Sequence, residues 1–213
     1  DLFYDRYYVF KEFKDNILNT PKIKMILSNL KTFLQSPLQY CKLALKIIQL
    51  HDKLTDKIKS LIVYFLTVGT LSEIKKYSPD HIHAHFANFP ALSAYIIHQF
   101  LGIPYSFNCH GTDVLIDRQM LPEKGRTAQF ITTVSEYNKN AFLSNIHSDI
   151  TTAVHVFYLG TEIPTKSPLT EYEKGFLLFV GRLAPEKNIY SLIKALPLVK
   201  ENLLKKVVII GDG

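Results

Sequence analysis

From Leu61 onward the chain alternates stretches of helical and strand character, and no other feature constrains its fold as tightly. The pattern predicts a helix over 61–77, a strand over 80–84, a helix over 90–101 and a strand over 104–109. A strand near 130–134 leads into a helix capped by Ser135, and a strand over 153–158 ends in Gly160. Short apolar runs that alternate with amphipathic helices build βαβ units, whose parallel sheet binds ligands at the carboxyl ends of its strands. The expected class is α/β, with a doubly wound, Rossmann-like sheet.

The stretch TEIPTKSPLTEYEKG, 161–175, is polar and proline-containing and reads as a linker. It divides an expected first domain, 1–172, from a second that starts near Glu173. The second opens with FLLFVGRLAPEKNIYSLIKA, where Leu177 to Val180 read as a strand buried on both faces and Gly181 ends it. Ile189, Leu192, Ile193 and Leu196 then recur at helical spacing, so the helix lies back on the sheet with its N-terminus toward the strand's carboxyl end. Unpaired N–H groups, close backbone approach at Gly181 and the charges of Arg182 and Lys187 together suit a diphosphate. A plain strand-to-helix turn with two solvated cations has the same local look.

The string GRLAPEKN resembles the G-R-L-x-x-x-K-G signature of glycosyltransferase family 4, sugar-nucleotide enzymes of the two-domain GT-B architecture. Asn188 stands where glycine is usual, and asparagine tolerates left-handed backbone and suits a helix cap. Upstream, DHIHAHFANFPALSAYIIHQFLGIPYSFNCHGTDVL resembles the middle of the family's N-terminal, acceptor-side domain. VSEYN, FYLGTEIP and VVIIGDG follow in the family's order, so the resemblance runs from about Leu61 to Gly213, while the first sixty residues match only in character.

The resemblance implies a Rossmann-like N-terminal domain followed by the first β-α-β unit of a second, nucleotide-sugar-binding one. It implies a hexosyltransferase-type enzyme that moves a sugar, with retention, from a nucleotide-diphosphate sugar to a glycan or lipid-linked acceptor in cell-surface polysaccharide or glycolipid biosynthesis. No metal or other cofactor is expected. The implied catalytic residues are His110, Arg182 and Lys187, and the implied substrate contacts are Gly181, Arg182, Lys187, His110, Asp113 and Gly211. His110 and Asp113 lie in HGTD, which in the family faces the donor sugar across an interdomain cleft; for Asp113, capping the following turn is an equal alternative. His85 and Phe86 fit the acceptor side or simple packing at a strand end. Arg182 would grip phosphate oxygens in a fork while Lys187 supplies a movable point charge. Without an initiator Met, and stopping at Gly211-Asp212-Gly213 before any E-x7-E motif, the chain is expected to be a fragment cut at both ends and inactive alone.

Three rival readings use the same residues. His81, His83 and His85 alternate and would share one face of a strand, so His83, His85, His110 and Asp113 are candidate ligands for a metal-dependent hydrolase. VVIIGDG also opens like a dinucleotide fingerprint, the mark of a NAD-binding protein. Cys109 beside His110 has the look of a nucleophile, although its apolar strand setting favours a structural thiol.

The 213 residues, 47% of them hydrophobic, are enough for one or two domains with real cores. Charge is uneven within a net +6: Lys22 to Lys59 holds eight lysines against Asp52 and Asp56. Helical spacing there puts Ile23, Ile26, Leu27, Leu30 and Leu34 on one face, opposite Lys24, Ser28, Lys31 and Gln35. After Pro37, Cys41, Ala44, Leu45 and Ile48 oppose Lys42, Lys46, Gln49 and Lys53. The pattern alone favours core helices with a solvated lysine face; the resemblance adds peripheral contact with an anionic membrane. Nothing resembles a nucleic-acid reader. Two cysteines and no signal peptide or long apolar span make a reducing cytoplasm the expected setting.

Overall fold

The computed structural model describes residues 21–146, 151–161, 174–200 and 202–213, and the chain divides into two units, 1–160 and 161–213. The first unit begins with three helices, α1 (Lys22–Gln35), α2 (Pro37–Gln49) and α3 (Leu54–Tyr77). There follow β1 (Ile82–His85), α4 (Phe89–Leu101), β2 (Tyr105–Cys109), two short helices α5 (Thr112–Leu115) and α6 (Leu121–Thr127), β3 (Phe130–Thr133), α7 (Glu136–Ile146) and β4 (Ala153–Val156). All four strands are parallel, in the order β1-β2-β3-β4. The expected α/β class and the expected alternation are both present. Pro104 stays outside β2, since it has no N–H to give the ladder, but its carbonyl accepts the N–H of Ile82. Ser135 caps α7 as its sequence position suggests, its hydroxyl accepting the N–H of Asn138.

Register assigns the faces. Ile82, Ala84, Tyr105, Phe107, Cys109 and Ile131 share the face that packs with Leu92, Tyr95 and Ile96 of α4 and Phe142 of α7. The opposite face carries His83, His85, Ser106, Asn108, Phe130, Thr132 and His155. The sequence alternates between the two because side chains along a strand do.

The first two helices depart from expectation. The side of α1 that meets α3 is its polar one: the Ser28 hydroxyl donates to the Val68 carbonyl, and the Asn29 amide to that of Phe65. Ile23, Ile26, Leu27, Leu30 and Leu34 point outward instead, with Ile23 and Leu34 each 70% exposed. In α2 the packed stripe is Tyr40, Leu43, Ala44 and Ile47, which leaves Cys41 and Leu45 exposed. Spacing alone identifies an apolar row and not which row has a partner; here Gly69 of α3 lets α1 approach closely, since a Cβ there would stand 3.0 Å from that of Met25.

In the second unit, β5 (Phe176–Val180) pairs in parallel with β6 (Lys206–Ile210), Phe176 opposite Lys206. Between them lie a 3₁₀ turn, Pro185–Lys187, and α8 (Ile189–Ala195). Pro197 ends α8 before Leu196, which falls in a second 3₁₀ turn. Contrary to the doubly buried reading, β5 alternates: Leu177 and Phe179 are half-buried, whereas Leu178 and Val180 are exposed. The expected linker, apart from Thr161 and its last two residues, and the domain start at Glu173 lie outside the described residues.

Candidate functional site

At the carboxyl ends of β1 and β2 three rings meet. His85 lies 5.1 Å from His110 and 4.5 Å from Phe86, and Phe86 lies 4.8 Å from His110, measured between ring centroids. His85 ends β1 and His110 follows β2 directly, so the parallel register brings them side by side. Phe86 holds a φ of 84°, backbone that a bulky side chain rarely adopts, and this turn sets its ring against the histidine pair. Two buried polar atoms there, His110 Nε2 and Asn108 Oδ1, have no protein partner among the described residues. Buried polar atoms are normally paired, so these two stand out at the end of the sheet.

Asp113 stands behind this cluster. Only 3% exposed, it accepts the backbone N–H of His110 through one oxygen and that of Ala87 through the other, both at 2.7 Å. Its carboxylate thus ties the loops after β1 and β2 together, while the N–H groups of Val114 and Leu115 in α5 go to the Gly111 carbonyl. Lys124, on α6 and 1% exposed, donates from Nζ to the carbonyl of Ala87 and more weakly, at 3.4 Å, to that of Asn88.

The metal-site reading fails on this geometry. His81 and His83 do share a sheet face with His85, but both turn to the Ser106 hydroxyl, at 2.7 and 2.8 Å. Asp113 points at backbone, and among the described residues no group of three or more such side chains converges to hold an ion. His83 is held below the usual histidine range by burial and by the neighbouring His81 and His85. Cys109 is buried in the core face and its Sγ donates to the Thr132 carbonyl. Burial pushes its thiol up to about 11, so it is no nucleophile.

The loop after β5 is held by the loop after β6. The N–H of Gly181 donates to the Ile210 carbonyl, and that of Leu183 to Asp212. Gly211, at φ 157°, is packed so closely that an added Cβ would stand 1.8 Å from the Gly181 carbonyl oxygen. Within the protein the tight backbone contact is at Gly211; a Cβ on Gly181 would meet only the Phe179 ring at 3.5 Å. Arg182, 72% exposed, forms an ion pair with Glu186 one turn on, at 3.0 Å. Lys187 is exposed at the end of the 3₁₀ turn. Asn188 adopts left-handed backbone, φ 48° and ψ 42°, as its place in the motif requires; its side chain makes no cap bond and instead accepts from the Ser191 hydroxyl.

Comparison with known proteins finds similar ones. The chain is 30% identical over 142 residues to a protein of Methanocaldococcus jannaschii, the uncharacterized glycosyltransferase MJ1178. The match covers 63% of this chain and 37% of that protein, so the chain spans a little over a third of its relative. In fold it is similar to the crystal structure of TarM, with a TM-score of 0.55 at 14% identity, over 70% of this chain and 31% of that one. No family model matches.

Sequence reasoning missed Lys124 and Asn108. Lys124 carried a signal: it falls three residues after Leu121 and four before Ala128, both buried, and so lies on the apolar side of its helix. Asn108 interrupts an apolar strand run on the face shared with His83 and His85, the only hint of its position.

Proposed function

We propose that the protein is a retaining, hexosyltransferase-type glycosyltransferase of family 4 and GT-B architecture. It moves a sugar from a nucleotide-diphosphate sugar to a glycan or lipid-linked acceptor, in cell-surface polysaccharide or glycolipid synthesis at the cytoplasmic face of a membrane. The observation that carries this reading is the 30% identity to a glycosyltransferase over 142 residues. The strand-end His85, Phe86 and His110 agree with it chemically, because an aromatic edge beside unpaired polar atoms suits a sugar.

In this scheme His110 Nε2 hydrogen-bonds the donor sugar, and Asp113 fixes the His110 backbone. Arg182 leaves Glu186 to grip the diphosphate, with Lys187 and the backbone of Gly181 and Gly211 beside it. As the anomeric carbon–oxygen bond breaks, these cations stabilise the charge that develops on the departing phosphate. A phosphate oxygen takes the acceptor's hydroxyl proton, and the acceptor oxygen bonds to the anomeric carbon on the face the leaving group vacates, which retains configuration. Side chains supply the charge, so no metal or other cofactor is invoked.

Peripheral membrane contact is the second part of the proposal. Helices α1 and α2 carry Lys22, Lys24, Lys31, Lys42 and Lys46 and no acidic residue, and α1 also presents the outward row Ile23, Ile26, Leu27, Leu30 and Leu34. Among the described residues no helix is long and apolar enough to cross a membrane.

The test is to offer UDP-, GDP- and ADP-sugars to the whole protein with glycan and lipid-linked acceptors. One donor is expected to release its nucleoside diphosphate only when an acceptor is present, giving a product of unchanged anomeric configuration by NMR. Arg182→Ala should slow turnover by roughly 100-fold. No consumption of any donor, or an inverted product, overturns the reading.

A further inference from the structure

Lys124 is enclosed by α6 and the loops around it, and among the described residues no carboxylate lies within ion-pair distance. An enclosed cation without a partner is unfavourable, and methionine would fill a similar volume at no such cost. What Lys124 does have is two acceptors on a single turn, the carbonyls of Ala87 and Asn88. Burial draws its amine down to about 7, against the opposing pull of Asp117, Asp113 and Glu123. Either protonation state supplies the two N–H donors that the two carbonyls accept.

The same turn is gripped from its other side. Ala87 gives its N–H to Asp113, whose second oxygen takes the N–H of His110. Lys124, Ala87, Asp113 and His110 thus form one unbroken run of hydrogen bonds from α6 to the end of β2. Immediately before Ala87 sits Phe86 at φ 84°, a conformation that persists only where the surroundings impose it. Without a donor on the Ala87 carbonyl, Asp113 alone holds Ala87 among the described residues, while His85 stays in the β1 ladder; any relaxation of the Phe86 backbone toward negative φ turns the Phe86 ring away from His85 and His110.

We infer that Lys124 is a positioning residue, which acts through the 86–88 turn to hold the Phe86 ring against His85 and His110. What the assembled rings act on rests on the glycosyltransferase reading; the assembly itself does not.

The test is Lys124→Met, which keeps length and volume and removes the donors. In the 213-residue chain, imidazole NMR resonances of His85 and His110 report the ring contacts directly. Loss of the Phe86 ring-current shift at His110 is expected in the variant, with the far-ultraviolet circular dichroism spectrum unchanged. In the whole protein, kcat should fall roughly tenfold to 100-fold while the donor KM moves little. Unchanged imidazole resonances in Lys124→Met overturn the inference. Should that variant not fold, Lys124→Gln takes its place, and its shorter donor should give the same spectral change in smaller measure; unchanged resonances there overturn the inference too. A wild-type protein that transfers no sugar, combined with the spectral change, defeats the glycosyltransferase reading and leaves the positioning role standing.

Discussion

Asp113 reaches from the turn after β2 to the backbone of Ala87 in the turn after β1, accepting its N–H at 2.7 Å through one oxygen while the other takes the N–H of His110. One enclosed carboxylate therefore sets the spacing of two loops that the sheet alone would leave independent. Asp113→Ala strips the acceptor from both N–H groups, and bonds to a charged group are worth about 1.5–3 kcal/mol each. Urea unfolding should show a loss of about 3 kcal/mol or more, whereas Asp113→Asn, which keeps one acceptor oxygen, should lose less. Equal losses for the two variants would mean that volume, and not the acceptor pair, is what the site needs.

The Glu73 carboxylate joins α1 to α3 through Lys24, at 2.5 Å, and is bonded by Lys76 as well. These lysines hold its carboxyl below the usual range. A carboxyl whose folded pKa is depressed adds stability above its unfolded pKa and loses it as pH falls toward the folded one. Acid titration of stability should therefore be flatter for Glu73→Gln than for the wild type, with the two curves converging below about pH 4. The exposed lysine ends limit the effect to about 1 kcal/mol. Parallel curves throughout would place the acid sensitivity elsewhere.

How far the sequence discloses this depends on how local the cause is. The parallel sheet was legible because short apolar runs and intervening helices are written in consecutive residues, and β1 to β4 lie within a residue or two of their expected places. The left-handed Asn188 was legible in the same way, from residue type and place in the motif. What the sequence could not disclose is partner choice. The outward row on α1 has the spacing of a core stripe, and it is the contacts of Ser28 with Val68 and Asn29 with Phe65 that reveal that the polar side packs. The bond of Asp113 to Ala87 spans 26 residues and that of Lys124 to Ala87 spans 37, so neither partner is written near the residue that needs it.

The outward row of α1 gives a direct test of membrane contact. Leu30 and Ile26 lie on the exposed side of α1, a helix with three lysines and no acidic residue. Sedimentation with vesicles rich in phosphatidylserine should carry the protein down, and purely phosphatidylcholine vesicles should not, since each lysine near an anionic surface contributes about 1 kcal/mol. Ile26→Asp with Leu30→Asp should abolish sedimentation without lowering stability, because neither side chain is packed. Equal binding of the double variant would show that this row does not meet the membrane.

Gly211 makes the sharpest steric demand in the second unit. The Gly181 carbonyl oxygen stands 1.8 Å from where its Cβ would sit, and Gly181 is itself bonded through its N–H to Ile210. Backbone cannot yield as a flexible side chain does, so Gly211→Ala must separate the loops after β5 and β6. A substitution incompatible with the native backbone costs more than about 1 kcal/mol, and here the cost should appear locally: faster amide exchange at Gly181 and Leu183, with the first unit's amides unaffected. Gly181→Ala, whose Cβ would touch only the Phe179 ring, should leave exchange at Leu183 unchanged. If both loops bind the donor diphosphate, Gly211→Ala also weakens nucleotide affinity and Gly181→Ala does so less, a ranking opposite to the one that motif position alone suggests.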